Sequence, residues 1–163
     1  RGLGDVYKRQ YADEAKKNYT DKIDVITSFD VIEHVQSPEI FIKDVYDLLT
    51  YGGKAIIGTP TDAPVMRSLL GNDYEKKLLF STQHLWILSE KNLRMISEKC
   101  GFRKATFKYY QRYGIGNMLG WLKEKEPKSE INQEFITETL NNVWKAQLVD
   151  NGLADYIVLY LEK

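Results

Sequence analysis

Lys22-Ile23-Asp24-Val25-Ile26-Thr27-Ser28-Phe29-Asp30-Val31-Ile32-Glu33-His34-Val35, with Gly52-Gly53-Lys54-Ala55-Ile56-Ile57-Gly58-Thr59-Pro60 further along, decides the fold. The first stretch is a short β-branched, apolar run that stops abruptly in acidic residues and a histidine. Such a run reads as a buried parallel strand over 23–28 that delivers polar groups to its carboxyl edge, where open α/β sheets bind ligands. Functional residues are therefore expected near 28–35. Between the two stretches, Ser37-Pro38-Glu39 supplies an N-cap, a proline at the first helical position and an early acid. Phe41, Val45, Leu48 and Leu49 then share one helical face, up to Gly52-Gly53. Strand, helix and a second strand over 54–59 predict a parallel crossover.

Outward from this unit the chain stays α/β. Residues 11–19 suit a helix tail or a connection. Residues 60–83 read as irregular around Pro60, Pro64, Gly71 and Asn72, with a short helix over 65–70. A long loop beside a strand's carboxyl end usually covers a site. Ser89 caps the next helix, which carries Leu93, Ile96 and Cys100 on one face and stops at Gly101. A strand is predicted over 103–110 and a short helix over 116–123. A longer helix over 133–149 carries Ile136, Leu140, Val143, Trp144 and Leu148 as one stripe, and Asn151-Gly152 closes it before a final strand over 155–161.

Composition narrows the class. With 163 residues and 43% hydrophobic content, one core and a single domain are the default. Twenty-three basic residues balance twenty-three acidic ones, which argues for neither a nucleic-acid footprint nor a polybasic membrane patch and leaves a small partner molecule as the simpler expectation. The lone cysteine, Cys100, excludes an internal disulfide framework and a thiolate zinc cluster and agrees with a cytoplasmic location. No apolar run approaches the length of a membrane span. Residues 1–10 show no periodicity and resemble a translated adapter, so they are read as a non-native artefact, and 11–163 as the C-terminal portion of a single domain. Gly2 and Gly4 make no phosphate loop, because no strand precedes them.

The segment from Asp24 to Val35, the Gly52-Gly53 turn leading to Thr59-Pro60, His84-Leu85-Trp86 with Ser89, Cys100-Gly101-Phe102 and the terminal strand together resemble class I S-adenosylmethionine-dependent methyltransferases. The nearest branch is the ubiquinone-biosynthesis O-methyltransferase-like one, and the resemblance runs from about residue 23 to the C-terminus. It implies a partial Rossmann-like sheet of three parallel strands and an antiparallel C-terminal strand, flanked by helices. The implied cofactor is S-adenosyl-L-methionine and the implied partner a small-molecule acceptor, with O-methylation favoured. The family's glycine-rich first loop and ribose-binding acid have no counterpart before Ile23. A gene fragment is therefore expected, with activity in the parent protein and an inactive isolated chain. Two other classes stay open: a non-catalytic methyltransferase-like binding domain, and a nucleotide-cofactor oxidoreductase.

On the resemblance, Ser28, Phe29, Asp30 and Val31 border the cofactor. An aromatic face at Phe29 suits a sulfonium through a cation–π contribution, and the charge of Asp30 favours the same cation. His34 and His84 are the catalytic candidates, as acid–base groups near the acceptor, since imidazole titrates near neutrality. A loop-anchoring hydrogen bond is the plainer role for His84. Asp30, Glu33 and His34 also match positions at which some ubiquinone-pathway O-methyltransferases carry metal ligands. Adjacent residues chelate one ion awkwardly, so Glu33-His34 is read as structural or helix-capping and no metal is expected. Tyr109, Tyr110, Tyr113, Trp121 and Trp144 are candidates to line a pocket for a ring, against the ordinary alternative of core packing. The Tyr113-Gly114-Ile115-Gly116-Asn117 turn is either a substrate cover or a tight bend.

Overall fold

A computed structural model describes residues 12–80, 84–126, 131 and 134–163. The stretch read as an artefact, 1–10, lies outside the described residues. Ser37 adopts an extended backbone and its hydroxyl accepts the Ile40 N–H at 3.3 Å, so α2 (Pro38–Leu48) starts where the sequence places it. The helix stops at Leu48 and not at the Gly52-Gly53 pair, because Leu49 already has strand dihedrals. β2 is accordingly long, Leu49–Pro60. Its ladder with β1 (Ile23–Phe29) is parallel, pairing Ile23 with Leu49 and, after a register shift, Val25 with Lys54. The glycines thus lie in a β-irregularity where Gly52 has φ +80°, a region that disfavours any side chain.

The remaining elements are α1 (Ala12–Tyr19), α3 (Pro64–Leu70), α4 (Asn72–Tyr74) continued by a π-helical turn (Glu75–Leu79), α5 (Glu90–Cys100), β3 (Lys104–Tyr110), α6 (Ile115–Glu124), α7 (Glu138–Asp150) and β4 (Tyr156–Glu162). The region expected to be irregular is therefore largely helical from 64 to 79. Pro64 opens a helix there rather than breaking one, since its ring fits the first turn. Ser89 and Asn92 form a reciprocal capping box, and Gly101 ends α5 at φ +102°. Helix α7 begins at the Thr137 cap, later than predicted, and of its predicted apolar stripe Leu148 is buried while Val143 points outward.

The sheet order is β1-β2-β4-β3. β4 inserts antiparallel between β2 and β3, so β1, β2 and β3 run the same way but only the β1–β2 ladder is parallel. Ile42 and Val45 of α2, Leu93 of α5, Ala55 and Ile57 of β2, and Ile157, Leu159 and Leu161 of β4 form the main core on one sheet face. Among the described residues the opposite face is open: Val25 is 58% exposed, and Tyr160 is also exposed. β1 is thus half-buried, with Ile26 packed against the core on one side and Val25 and Phe29 exposed on the other, where a buried strand was expected. No described helix is long and apolar enough to cross a membrane.

Candidate active site

The site grows from the end of β1. Phe29 is the last strand residue, and its partner Gly58 lies beside it on β2. Asp30 then takes a left-handed conformation, φ +54°, with its N–H on the Gly58 carbonyl at 3.0 Å. This reversal, with the His34 N–H on the Val31 carbonyl at 2.9 Å, folds 31–34 into a turn. The turn sends Ile32 and Glu33 inward, both fully buried, and leaves Val31 and His34 outside.

Glu33 is the polar centre of the turn. One carboxyl oxygen, Oε2, accepts the Thr59 hydroxyl at 3.0 Å, while Oε1 has no hydrogen-bond partner and lies 3.8 Å from His34 Nε2. The Glu33 carbonyl accepts the N–H groups of Leu85 and Trp86 at 2.8 and 3.2 Å, and the Trp86 indole N–H donates to the Val35 carbonyl at 2.9 Å. These bonds lay the 84–86 segment against the turn. The rings of His34 and His84 come to 4.9 Å between centroids, tilted by 52°. His84 Nδ1 also bonds the Leu79 carbonyl at 3.0 Å.

Asp30, Glu33, His34, His84, Arg112 and Asp155 line one cleft of about 260 Å³. Sequence reasoning missed Arg112 and Asp155. Asp155 is buried; its Oδ1 accepts the Arg112 backbone N–H at 3.0 Å, its Oδ2 the Gln111 amide at 3.3 Å, and the Arg112 guanidinium Nε stands 3.5 Å off. Burial pushes the Asp155 carboxyl up, against the opposing pull of Arg112. Arg112 also reaches to 3.8 Å from Asp30 and stacks 4.5 Å over the Tyr156 ring. Burial, reinforced by the nearby Asp30, raises the Tyr156 hydroxyl above its ordinary range. No local motif marks a lone arginine after a strand, so only the fold exposes this network.

The predicted cofactor residues divide. Ser28 lies on the helix-covered face, Phe29 is 52% exposed on the open face, and Asp30 and Val31 are at the strand tip. The Phe29 ring rests over Gly58, where an added Cβ would come 2.6 Å from Phe29 Cδ1 and 2.7 Å from the Tyr156 ring. Gly58→Ala is expected to destabilise the chain by about 1–2 kcal/mol through overpacking, read from the urea midpoint. Of the aromatic candidates, Tyr113, Trp121 and Trp144 line a second cavity of about 100 Å³ with Tyr74, and it shares Tyr74, Tyr113 and Asp155 with the first cleft. Tyr110 is exposed, and Tyr109 borders a separate cleft.

Residues 3–106, more than half of the chain, match the family described as the methyltransferase domain. The chain belongs to this family. The matched span overlaps most of the stretch set aside as an artefact. Solved structures agree in fold: a SAM-dependent methyltransferase from Archaeoglobus fulgidus superposes at a TM-score of 0.57 and 17% identity, over 96% of this chain and 66% of that one. A SAM-dependent methyltransferase from Thermotoga maritima gives 0.52 and 19%, over 88% and 57%. A phosphoethanolamine N-methyltransferase from Haemonchus contortus, in complex with S-adenosyl-L-methionine, gives 0.51 and 15%, over 88% and 34%. The chain therefore spans between 34% and 66% of these structures. No curated protein matches the sequence.

Proposed function

We propose that the chain is the C-terminal part of an S-adenosyl-L-methionine-dependent methyltransferase acting on a small-molecule acceptor, with oxygen as the favoured atom, as in the ubiquinone-biosynthesis O-methyltransferase-like branch. The observation that carries this is the pair of imidazoles, His34 and His84, 4.9 Å apart at the carboxyl end of β1 beside the buried Glu33. A hydroxyl acceptor must shed its proton as its oxygen attacks, and these two side chains promote that loss. The acceptor oxygen's lone pair forms the new C–O bond, the C–S bond breaks, and its electrons return to sulfur as a neutral thioether. The proton passes from the acceptor to solvent past the imidazoles. Alignment of oxygen, methyl carbon and sulfur supplies much of the rate, because the sulfonium is already an activated donor. The two adjoining cavities suit a small ring better than a macromolecule.

In this proposal Ser28, Phe29, Asp30 and Val31 border the cofactor, with Phe29 and Asp30 facing its positive sulfur. The location is cytoplasmic, and the intact protein rather than this chain alone is the active species. The test is calorimetric titration of the intact protein with S-adenosyl-L-methionine. Binding is expected, weakened about three- to tenfold by Phe29→Ala. Asp30 is better replaced by asparagine than alanine, since asparagine tolerates the left-handed backbone and removes the charge alone. A folded intact protein that shows no cofactor heat, or binds equally well without the Phe29 ring and the Asp30 charge, overturns the assignment.

A further inference from the structure

We infer that Tyr74 is a specificity-determining residue of the acceptor site, its hydroxyl donating a hydrogen bond to an uncharged oxygen, carbonyl or ether, that the acceptor carries besides the group to be methylated. Tyr74 lines both the cleft of about 260 Å³ at the imidazoles and the adjoining cavity of about 100 Å³. An acceptor held in the cleft and reaching into the cavity passes it. That this ligand is the methyl acceptor rests on the methyl-transfer proposal, whereas the demand for an oxygen rests on the lining alone.

Tyr74 is only 4% exposed, yet among the described residues its hydroxyl makes no hydrogen bond. Both carboxyl oxygens of Asp155 are already taken, by the Arg112 backbone N–H and the Gln111 amide, and the Gln111 side-chain oxygen accepts the Asp155 N–H. A second donor of the smaller cavity, the Trp144 indole N–H, also has no hydrogen-bond partner. Unmet donors thus stand beside spent acceptors. Buried polar groups find partners in protein, water or ligand, and the ligand that matches this lining brings acceptors. Water fills the role until an oxygen of the ligand displaces it. An ammonium group has no lone pair to offer, and a carboxylate would stand against Asp155. Burial, with the Asp155 carboxylate adding to it, pushes the Tyr74 hydroxyl above its ordinary range, so it stays a protonated donor.

The local fold fixes the ring that carries this hydroxyl. Tyr74 closes α4 with its N–H on the Gly71 carbonyl at 3.1 Å, and the chain then widens into the π-helical turn, where the Phe80 N–H bonds the Glu75 carbonyl at 2.8 Å. Such turns recur at functional sites, and here Tyr74 and Leu78 both reach the two cavities. The Tyr74 ring meets the buried Trp121 edge-on, 5.4 Å between centroids at 64°. A donor held in this way loses little freedom when a ligand arrives, so the bond favours binding rather than being spent on ordering the side chain.

The test titrates the intact protein by calorimetry with the ortho, meta and para hydroxyacetophenones and with the matching ethylphenols, near-isosteres that lack the second oxygen. At least one ketone is expected to bind about tenfold more tightly than its ethyl counterpart, and Tyr74→Phe to reduce that preference to about twofold or less. The hydroxybenzoates are expected to bind more weakly than that ketone. Infrared difference spectra are expected to show the ketone's carbonyl stretch lowered on binding and restored in Tyr74→Phe, a signature that altered packing alone does not produce. Tyr74→Phe keeps the ring against Trp121, so the urea midpoint and the cofactor affinity are expected to hold. A protein that shows no ketone preference, or keeps it without the hydroxyl, overturns the role of Tyr74, and tighter binding of the hydroxybenzoates overturns the uncharged oxygen. Ketone preference in a protein that gives no heat with S-adenosyl-L-methionine overturns the transferase proposal and spares the cavity's demand. Cofactor heat without ketone preference does the reverse.

Discussion

Alanine in place of His84 is expected to lower kcat/KM for methyl transfer by the intact protein about 10²- to 10⁴-fold, the range for losing a group that handles the acceptor's proton. Cofactor affinity is expected to stay unchanged. The segment carrying His84 is held by the backbone of Leu85 and Trp86 and by the Trp86 indole, none of which the substitution touches. What is lost is one imidazole, its bond to Leu79 and its approach to His34. The damage therefore falls on chemistry rather than on folding. Steady-state kinetics beside calorimetry separate the two, and a variant with weakened cofactor binding but intact kcat would place His84 against the donor instead of the acceptor.

Asp155→Ala is expected to lower stability by about 2–3 kcal/mol, because the Gln111 amide and the Arg112 backbone N–H lose their buried acceptor. The Arg112 guanidinium is partly exposed, so its share of the loss is small. Asp155 also closes the sheet end: its N–H bonds the Gln111 side chain and its carbonyl takes the Thr61 N–H. The pH dependence has a fixed sign. Burial raises the folded-state pKa, so the stability Asp155 contributes is fully present below its ordinary value and is lost as pH rises through the raised one. Asp155→Asn cannot ionise, and its deficit relative to the parent chain is expected to shrink as pH rises above about 4. Urea titrations at a series of pH values check both variants. A widening deficit with rising pH, or an alanine variant as stable as the parent, would contradict the network described here.

The sequence carried the crossover unit well because its signals are local. Ser37-Pro38 caps α2, Ser89 and Gly101 bracket α5, and the β-branched runs pair as β1 and β2. Boundaries failed where a second signal competed. Gly52-Gly53 looked like a helix stop but sits in a β-irregularity, and the prolines of 60–70 looked like breakers although one opens α3. The candidate site was legible as residue types at a strand tip, since Asp30, Glu33 and His34 follow one another in sequence. The approach of His84 to His34 was not, because it depends on hydrogen bonds between segments some fifty residues apart. Asp155 and Arg112 were invisible for the same reason: each is an ordinary surface residue type until β3 and β4 pair. The open sheet face at Val25 and Phe29 likewise carried no sequence signal, because β-branched and aromatic residues read as buried wherever they occur in a strand.

The most direct measurement is a crystal structure of the intact protein with S-adenosylhomocysteine. The sulfur is expected at the carboxyl end of β1, against Phe29, Asp30 and Val31, with the His34 and His84 imidazoles across the gap where the transferred methyl would lie. A product bound at the other rim of the sheet, with the 30–34 turn facing empty solvent, would contradict the account.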